Sequence, residues 1–334
     1  MATMKDVAKA AGVSIATVSL TLSGAAFVSA ELRARVNAAI EQLGYERNSM
    51  ASGLKRGTSF LIGLIVSDVT NPFFTELVDC VENNAREQGY SVLLGISGHD
   101  VDREAELLRL MRSHQAAGTI LCPAGNVGDY RKEQMQLGRM KLVAIDNVSP
   151  EFSVDTVTLD NRRAAEMAVL HLISFGHRRI GMVMGFPHQH VADQRLVGFR
   201  DALRAKGIEL DERFIGQGNF RIEDAYQACQ QLLALPERPT ALFVANNLML
   251  IGVMQALSEA GVSVPGDMSV ASIDDFPWAS AFQPALTVVR QPIADMASAA
   301  LNRLVRRLDG DNGEPEHQVF APELVVRKSC AFLS

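Results

Sequence analysis

The first forty-four positions carry three short runs of apolar residues at helical spacing. Met4 to Ala11 places Val7, Ala8 and Ala11 on one face, and Gly12 breaks the run. Ser14 is positioned to cap a second helix, Ile15 to Leu22, that buries Val18 and Leu22 and ends at Gly24. Ser29 caps a third, with Leu32, Val36, Ile40 and Leu43 in one stripe closed by Gly44. From Phe60 the texture changes. The apolar strands LIGLIV, SVLLGI, TILC, LVAI and TVTL alternate with helices predicted over 73–88 and 102–114 and a weak one near Tyr130. A second series interleaves IGMVM, ALFVA and VASI with helices over 162–174, 191–205, 223–233, 248–260 and 293–308. Short strands with helical crossovers imply parallel sheets covered on both faces. The expected fold is therefore α/β, a small helical head followed by a two-lobed body with two parallel sheets, and ligands belong at the carboxyl ends of the strands.

Three short helices, the first two joined by a Gly-containing turn, form the helix-turn-helix pattern. In that reading the alanines let two helices cross closely, and Ser14, Thr17, Ser19 and Thr21 offer short hydroxyls to a phosphate backbone. A small helical bundle with surface hydroxyls stays open as the alternative. After Tyr45 the segment ERNSMASGLKRGTSF reads as a linker. Within it, Asn48 can cap a single turn through Met50, Ala51 and Leu54, too short to be stable without a partner.

Charge sharpens the division. The chain has 334 residues and a net charge of −6, which argues against nucleic acid only on average. Residues 1–57 hold seven Lys and Arg against four acidic residues, a net +3, which leaves −9 for the rest. A basic head on an acidic body can approach phosphate. No window supplies the roughly 18 uninterrupted apolar residues of a membrane span. The start MATMKDVAKAAG lacks a signal-peptide core, so the cytoplasm is expected. The four cysteines match no metal or redox spacing.

Four loops after strands concentrate carboxylates, amides and rings: SDVTNPFF at 67–74, IDN at 145–147, ANN at 245–247 and SIDDFPW at 272–278. With Arg195 and Phe220 they would line a cleft suited to a polyhydroxylated or carboxylated small molecule. The chain has no GxxxxGK[ST], HExxH, GxSxG or GxGxxG. His188 and His190 read as a surface turn, and Glu104 and Glu106 do not face each other on a helix. No catalytic residue, cofactor or metal site is expected.

KDVAKAAGVSIATVSLTLSG, ASGLKRG, SDVTNPFF, GHRRIGMVMG, RLVGFRDAL and SIDDFPWASAFQPALTVVRQP together resemble the lactose/galactose repressor (LacI/GalR) family of bacterial transcription regulators, over nearly the whole chain. The resemblance implies a homodimer on palindromic operator DNA and a body like a periplasmic sugar-binding protein, gated by a small polar effector, a sugar or sugar acid. A purine-like co-repressor stacked between Phe73 or Phe74 and Phe220 is the alternative effector, and a sugar-binding protein without DNA function the alternative role. The implied domains are a head at 1–46, a hinge at 47–59, a first lobe at 60–161 and 290–322, and a second lobe at 162–289. DNA contacts fall on Ser14, Ile15, Ala16, Thr17, Ser19 and Leu20, and in the hinge on Asn48, Met50, Ala51, Leu54 and Lys55, with Leu54 as a minor-groove wedge. Positions 15, 16 and 20 are apolar where relatives carry polar base readers, which shifts readout toward thymine methyls and DNA shape. Effector contacts fall on Ser67, Asp68, Asn71, Phe73, Phe74, Asp146, Gln189, Arg195, Phe220, Asn246 and Asp274, with Trp278 as a further ring. Asn247 stands where many relatives have Asp. No heptads follow AFLS, so a dimer rather than a tetramer is expected.

Overall fold

The computed structural model describes residues 2–22, 28–45, 59–125, 140–149 and 152–333. The chain divides into two units, Met1–Ser59 and Phe60–Ser334. The expected hinge residues Asn48, Met50, Ala51, Leu54 and Lys55, and the weak helix near Tyr130, lie outside the described residues.

The first unit is built from α1 (Met4–Ala11), α2 (Ile15–Leu22) and α3 (Ala30–Leu43). Thr3 and Asp6 close a capping box on α1, Ser29 caps α3, and Gly12 and Gly44 end their helices in the left-handed region that glycine enters without strain. The core is small: Val7, Ala8, Ala11, Val18, Val36 and Ala39. Two expectations are corrected here. Thr21, not Leu22, joins Val18 on the buried face of α2, because its hydroxyl donates to the Thr17 carbonyl at 2.9 Å and so loses its need for water. Leu43 is exposed, and Ala39 takes the inner position on α3. Arg35 of α3 donates to the Ala11 and Gly12 carbonyls at 2.7 and 3.3 Å, tying the third helix to the turn between the first two.

The second unit holds two six-stranded sheets. In the first, β1 (Leu61–Val66), β2 (Ser91–Ile96), β3 (Gly118–Leu121), β4 (Lys141–Ile145), β5 (Asp155–Leu159) and β11 (His317–Phe320) are ordered β11-β5-β4-β3-β1-β2, all parallel. In the second, β6 (Ile180–Met184), β7 (Ile215–Gln217), β8 (Ala241–Val244), β9 (Ser269–Ile273), β10 (Thr287–Arg290) and β12 (Glu323–Val325) are ordered β12-β10-β9-β8-β6-β7, with only β12 antiparallel. The helices are α4 (Pro72–Glu87), α5 (Val101–Ser113), α6 (Asn161–Ser174), α7 (His190–Ala205), α8 (Ile222–Leu233), α9 (Asn247–Glu259) and α10 (Ile293–Leu308). Each starts within a residue of its expected position.

The chain passes between the sheets three times: between β5 and α6, between β10 and α10, and between β11 and β12. Residues beyond 322, outside both expected lobes, return to the second sheet as β12 and continue to Ser329, whose side chain donates to the Val270 carbonyl. Two helix pairs in this half approach closely through glycine. A Cβ at Gly198 of α7 would lie 2.1 Å from the Arg162 carbonyl oxygen, and one at Gly252 of α9 would lie 2.1 Å from that of Ile222.

Candidate functional site

The polar ends of the strands meet. Ser67 and Asp68 follow β1, His99 follows β2, Asp146 and Asn147 follow β4, Phe220 follows β7, Asn246 follows β8, Asp274 follows β9 and Gln291 follows β10. All of these line one cavity of about 490 Å³, mouth included, with Asn71, Phe73, Phe74, Gln189, Val191, Arg195 and Leu248. This is the crevice at the carboxyl ends of parallel strands where α/β proteins bind ligands. Eleven of the twelve residues expected there are brought together. Trp278 is not: its ring packs edge-on to Phe276 at 5.4 Å, 47% exposed and away from the cavity. Four residues past Asp274, it has already followed the loop out of the cleft. His99, Asn147, Val191, Leu248 and Gln291 were missed. The available signals were the place of Gln291 directly after β10 and of Asn147 in the IDN loop; His99, set off from β2 by Ser97 and Gly98, and Val191 and Leu248, buried at helix starts, gave none.

Capping and cavity lining are compatible here. Asn71 caps α4 by accepting the Phe73 N–H at 2.9 Å, and Asn246 caps α9 by accepting the Met249 N–H at 2.9 Å. Each keeps its amide NH₂ for other partners. Of the seven non-glycine residues with positive φ among those described, His99, Asp146, Phe220 and Asp274 line this cavity. Such backbone persists where surrounding structure holds it, commonly at binding sites. The Phe220 ring lies flat on the backbone of Gly185, where a Cβ would come within 2.0 Å of the ring.

Three buried charges dominate the interior. Arg195 is only 2% exposed; its Nε donates to Asn161 at 2.8 Å and its Nη1 to the Ala245 carbonyl. Asn161 is thus a positioning residue at the start of α6. Among the described residues, Nη2 of Arg195 makes no hydrogen bond. Asp146 sits on the first sheet and Asp274 on the second. Burial raises the Asp146 carboxyl to about 6 against the opposing pull of Arg195, with Asp274 pushing the same way as burial. Burial also raises Asp274, countered by Arg195 and by the amide of Gln291, which donates to it. Neighbouring Asp275 behaves oppositely. It accepts from Arg290 at 2.8 Å and Arg327 at 2.9 Å and is held below the ordinary range by them despite its burial. Asp275 is therefore structural, while Asp274 faces the cavity.

Hydrogen bonds already join the lobes across the cleft. The Asn147 carbonyl oxygen accepts the Val191 N–H at 3.2 Å while its NH₂ donates to the Pro123 carbonyl at 2.9 Å. Gln189 donates to the Ala124 carbonyl at 3.3 Å. His99 from the first lobe meets Phe186 at 5.3 Å and Phe220 at 6.4 Å between ring centroids.

On the head, Ser14, Ile15, Ala16 and Ser19 are exposed and Thr17 and Leu20 half-buried. Ser14 caps α2 by accepting the Thr17 N–H at 3.1 Å. Among the described residues no three metal-ligating side chains gather, and no helix is long and apolar enough to cross a membrane.

A helix-turn-helix head and a two-lobed body with a polar cleft define a DNA-binding regulator with an effector-binding domain. Residues 3–48 match the bacterial regulatory proteins of the lacI family, and residues 169–330 match the periplasmic binding protein-like domain. The HTH-type transcriptional repressor PurR of Photobacterium profundum is 32% identical over the full length of both chains. A Lac repressor dimer bound to operator and the anti-inducer ONPF superposes with a TM-score of 0.90 at 27% identity, covering 99% of each chain. A complex of the transcriptional regulator CelR with cellobiose superposes at 0.73 with 29% identity, over 98% of this chain and all of that one. The chain belongs to the lacI family: it is a DNA-binding transcriptional regulator with an effector-binding body, and not an enzyme.

Proposed function

We propose that this regulator acts in the cytoplasm as a dimeric repressor on palindromic DNA, and that a neutral polyhydroxylated metabolite of the sugar class, held in the cleft, sets its grip on the operator. The observation that carries the reading is the buried trio Asp146, Arg195 and Asp274. Two carboxylates against one guanidinium leave an excess of acceptors away from water, and a ligand rich in hydroxyl donors relieves that deficit. A sugar acid would add a further negative charge, so neutral sugars rank ahead of it. Ser67, Asp68, Asn71, Gln189 and Asn246 supply further hydrogen bonds, Arg195 offers its Nη2, and Phe73, Phe74 and Phe220 give apolar ring faces. The CelR complex with cellobiose supports the ligand class, and the Lac repressor dimer on its operator supports the DNA partner.

A dimer doubles the phosphate contacts of a head with net charge +3, and residues 47–59 are read as a hinge that folds on DNA, with Leu54 wedged into the minor groove and Lys55 on phosphate. The rings around the cavity favour one second reading, a planar purine-like effector stacked on Phe220. The test is a thermal-shift screen of neutral sugars, sugar acids and nucleobases, repeated on Arg195→Ala and Asp274→Ala. A neutral sugar that stabilises the wild type and neither variant is expected. A nucleobase hit moves the reading to the purine class, and a hit that survives both substitutions places the effector elsewhere.

A further inference from the structure

The DNA-reading surface of α2 differs in kind from its hydroxyl-rich sequence. In a helix-turn-helix the second helix enters the major groove and its first residues meet the base edges. Here those residues are Ile15 and Ala16, and both are exposed, Ile15 by 42%. The whole helix, IATVSLTL, contains no Arg, Lys, Asn, Gln, Asp or Glu. It therefore cannot make the bidentate contacts that identify guanine or adenine, nor accept from cytosine N4 through a carboxylate.

The hydroxyls do not fill that gap. The Ser14 and Thr17 hydroxyls bond to each other at 2.9 Å while Ser14 also caps the helix, so one proton of that pair is used internally. Thr21 is buried and donates to the Thr17 carbonyl. Ser19, one turn along the exposed face from Ile15 and Ala16, is the α2 hydroxyl with no hydrogen bond among the described residues. What α2 presents to a groove is thus a hydrocarbon tip and very few free hydroxyls. The feature of a base edge that such a tip matches is the C5-methyl group of thymine, which no other base displays in the major groove. The seven basic residues in positions 1–57 supply attraction to the duplex, so the occupant of this face is DNA.

We infer that Ile15 and Ala16 read thymine through its methyl group, so that each operator half-site owes its specificity under the start of α2 to a 5-methylpyrimidine and not to a hydrogen-bond code. This rests on the proposed role in sequence-specific DNA binding. Removing one buried methyl weakens binding about four-fold, and removing the symmetric pair from a palindrome about fifteen-fold.

The experiment takes the full-length chain through selection from a random duplex pool, with and without a bacterial small-molecule extract. The enriched duplex is then remade with deoxyuridine for each thymine in turn, and with 5-methylcytosine for cytosine. One thymine per half-site is expected to show the losses given above. With Ile15→Ala, whose site is exposed and whose folding far-UV circular dichroism checks, deoxyuridine at that position is expected to cost no more than about 1.5-fold. Equal sensitivity in wild type, Ile15→Ala and Ala16→Gly would mean that the methyl acts through DNA shape, and overturns the inference while leaving operator binding intact. An enriched duplex in which no deoxyuridine weakens binding overturns it too. A pool with no enriched sequence under either condition instead overturns the reading of the chain as a sequence-specific binder.

Discussion

The head and the cleft solve opposite problems. The head packs six small apolar side chains and ties up many of its polar groups locally, with the Ser14, Thr17 and Thr21 hydroxyls bonded within α2 and its cap and Arg35 spent on the carbonyls of the turn. Its exposed tip is hydrocarbon. The cleft is walled by large cores yet buries two carboxylates and a guanidinium, and holds four of its lining residues at positive φ. A surface that must fit a preformed duplex gains from having few unsatisfied groups of its own, whereas a cavity that must hold one small molecule gains from acceptors that only the ligand completes.

The widest separation of the two regions should come from the head. Val18→Asp puts an unpaired charge into its small core, at a cost of roughly 4 kcal/mol or more. DNA binding should vanish while the thermal transition of the body, followed by calorimetry, stays in place; a body that melts earlier would mean that the two are not independent. Next, Arg195→Ala leaves Asp146 and Asp274 buried without a counter-charge. Affinity for the sugar found by screening should fall by roughly 2 kcal/mol or more, at least thirty-fold, in isothermal titration.

The pH dependence sharpens the same point. Asp146 titrates near 6 in the fold, above its ordinary value of 3.8, so between these pH values the folded chain binds more protons than the unfolded one. Its contribution is most favourable below pH 4 and is lost as pH rises to 6, by ~3 kcal/mol. Melting curves of wild type and Asp146→Asn should therefore diverge across this window, the wild type losing stability relative to the variant as pH rises; parallel curves would remove Asp146 from the buried set. Smaller still, Gly185→Ala forces the Phe220 ring off its backbone seat and should weaken the effector about tenfold. Last, Trp278→Ala should change effector affinity by less than about 0.5 kcal/mol, because the ring stands outside the cavity.

Much of this architecture could be read from pattern alone. Helix starts marked by Ser14 and Ser29, and stops marked by Gly12 and Gly44, were legible because capping is local chemistry. Ser67, Asp68, Asp146, Asn246 and Asp274 were legible as polar groups just after apolar strands, while Asn71, Phe73, Phe74, Gln189, Arg195 and Phe220 were legible only through loop motifs and the family resemblance. What stayed hidden depends on distant partners. Asp274 and Asp275 are identical in type and adjacent, and only the positions of Arg290 and Arg327 tell the structural carboxylate from the cavity one. Trp278 was misassigned because a ring near a candidate loop looks the same whether the loop turns inward or out. Thr21 was counted as a surface hydroxyl because its bond to the Thr17 carbonyl needs the helix to exist first.

The threefold passage between the sheets has a consequence for biosynthesis. The first lobe begins to emerge from the ribosome with β1, yet the helix α10 that covers β3, β4 and β5 and the edge strand β11 are among the last segments made. The second lobe likewise waits for β12 and for the bond from Ser329 to Val270. The head can fold as soon as α3 clears the exit tunnel, since every residue of its core precedes position 40. Nascent chains therefore pass through a long interval with a finished DNA reader attached to two unfinished lobes, and a chain cut off before residue 293 completes neither of them.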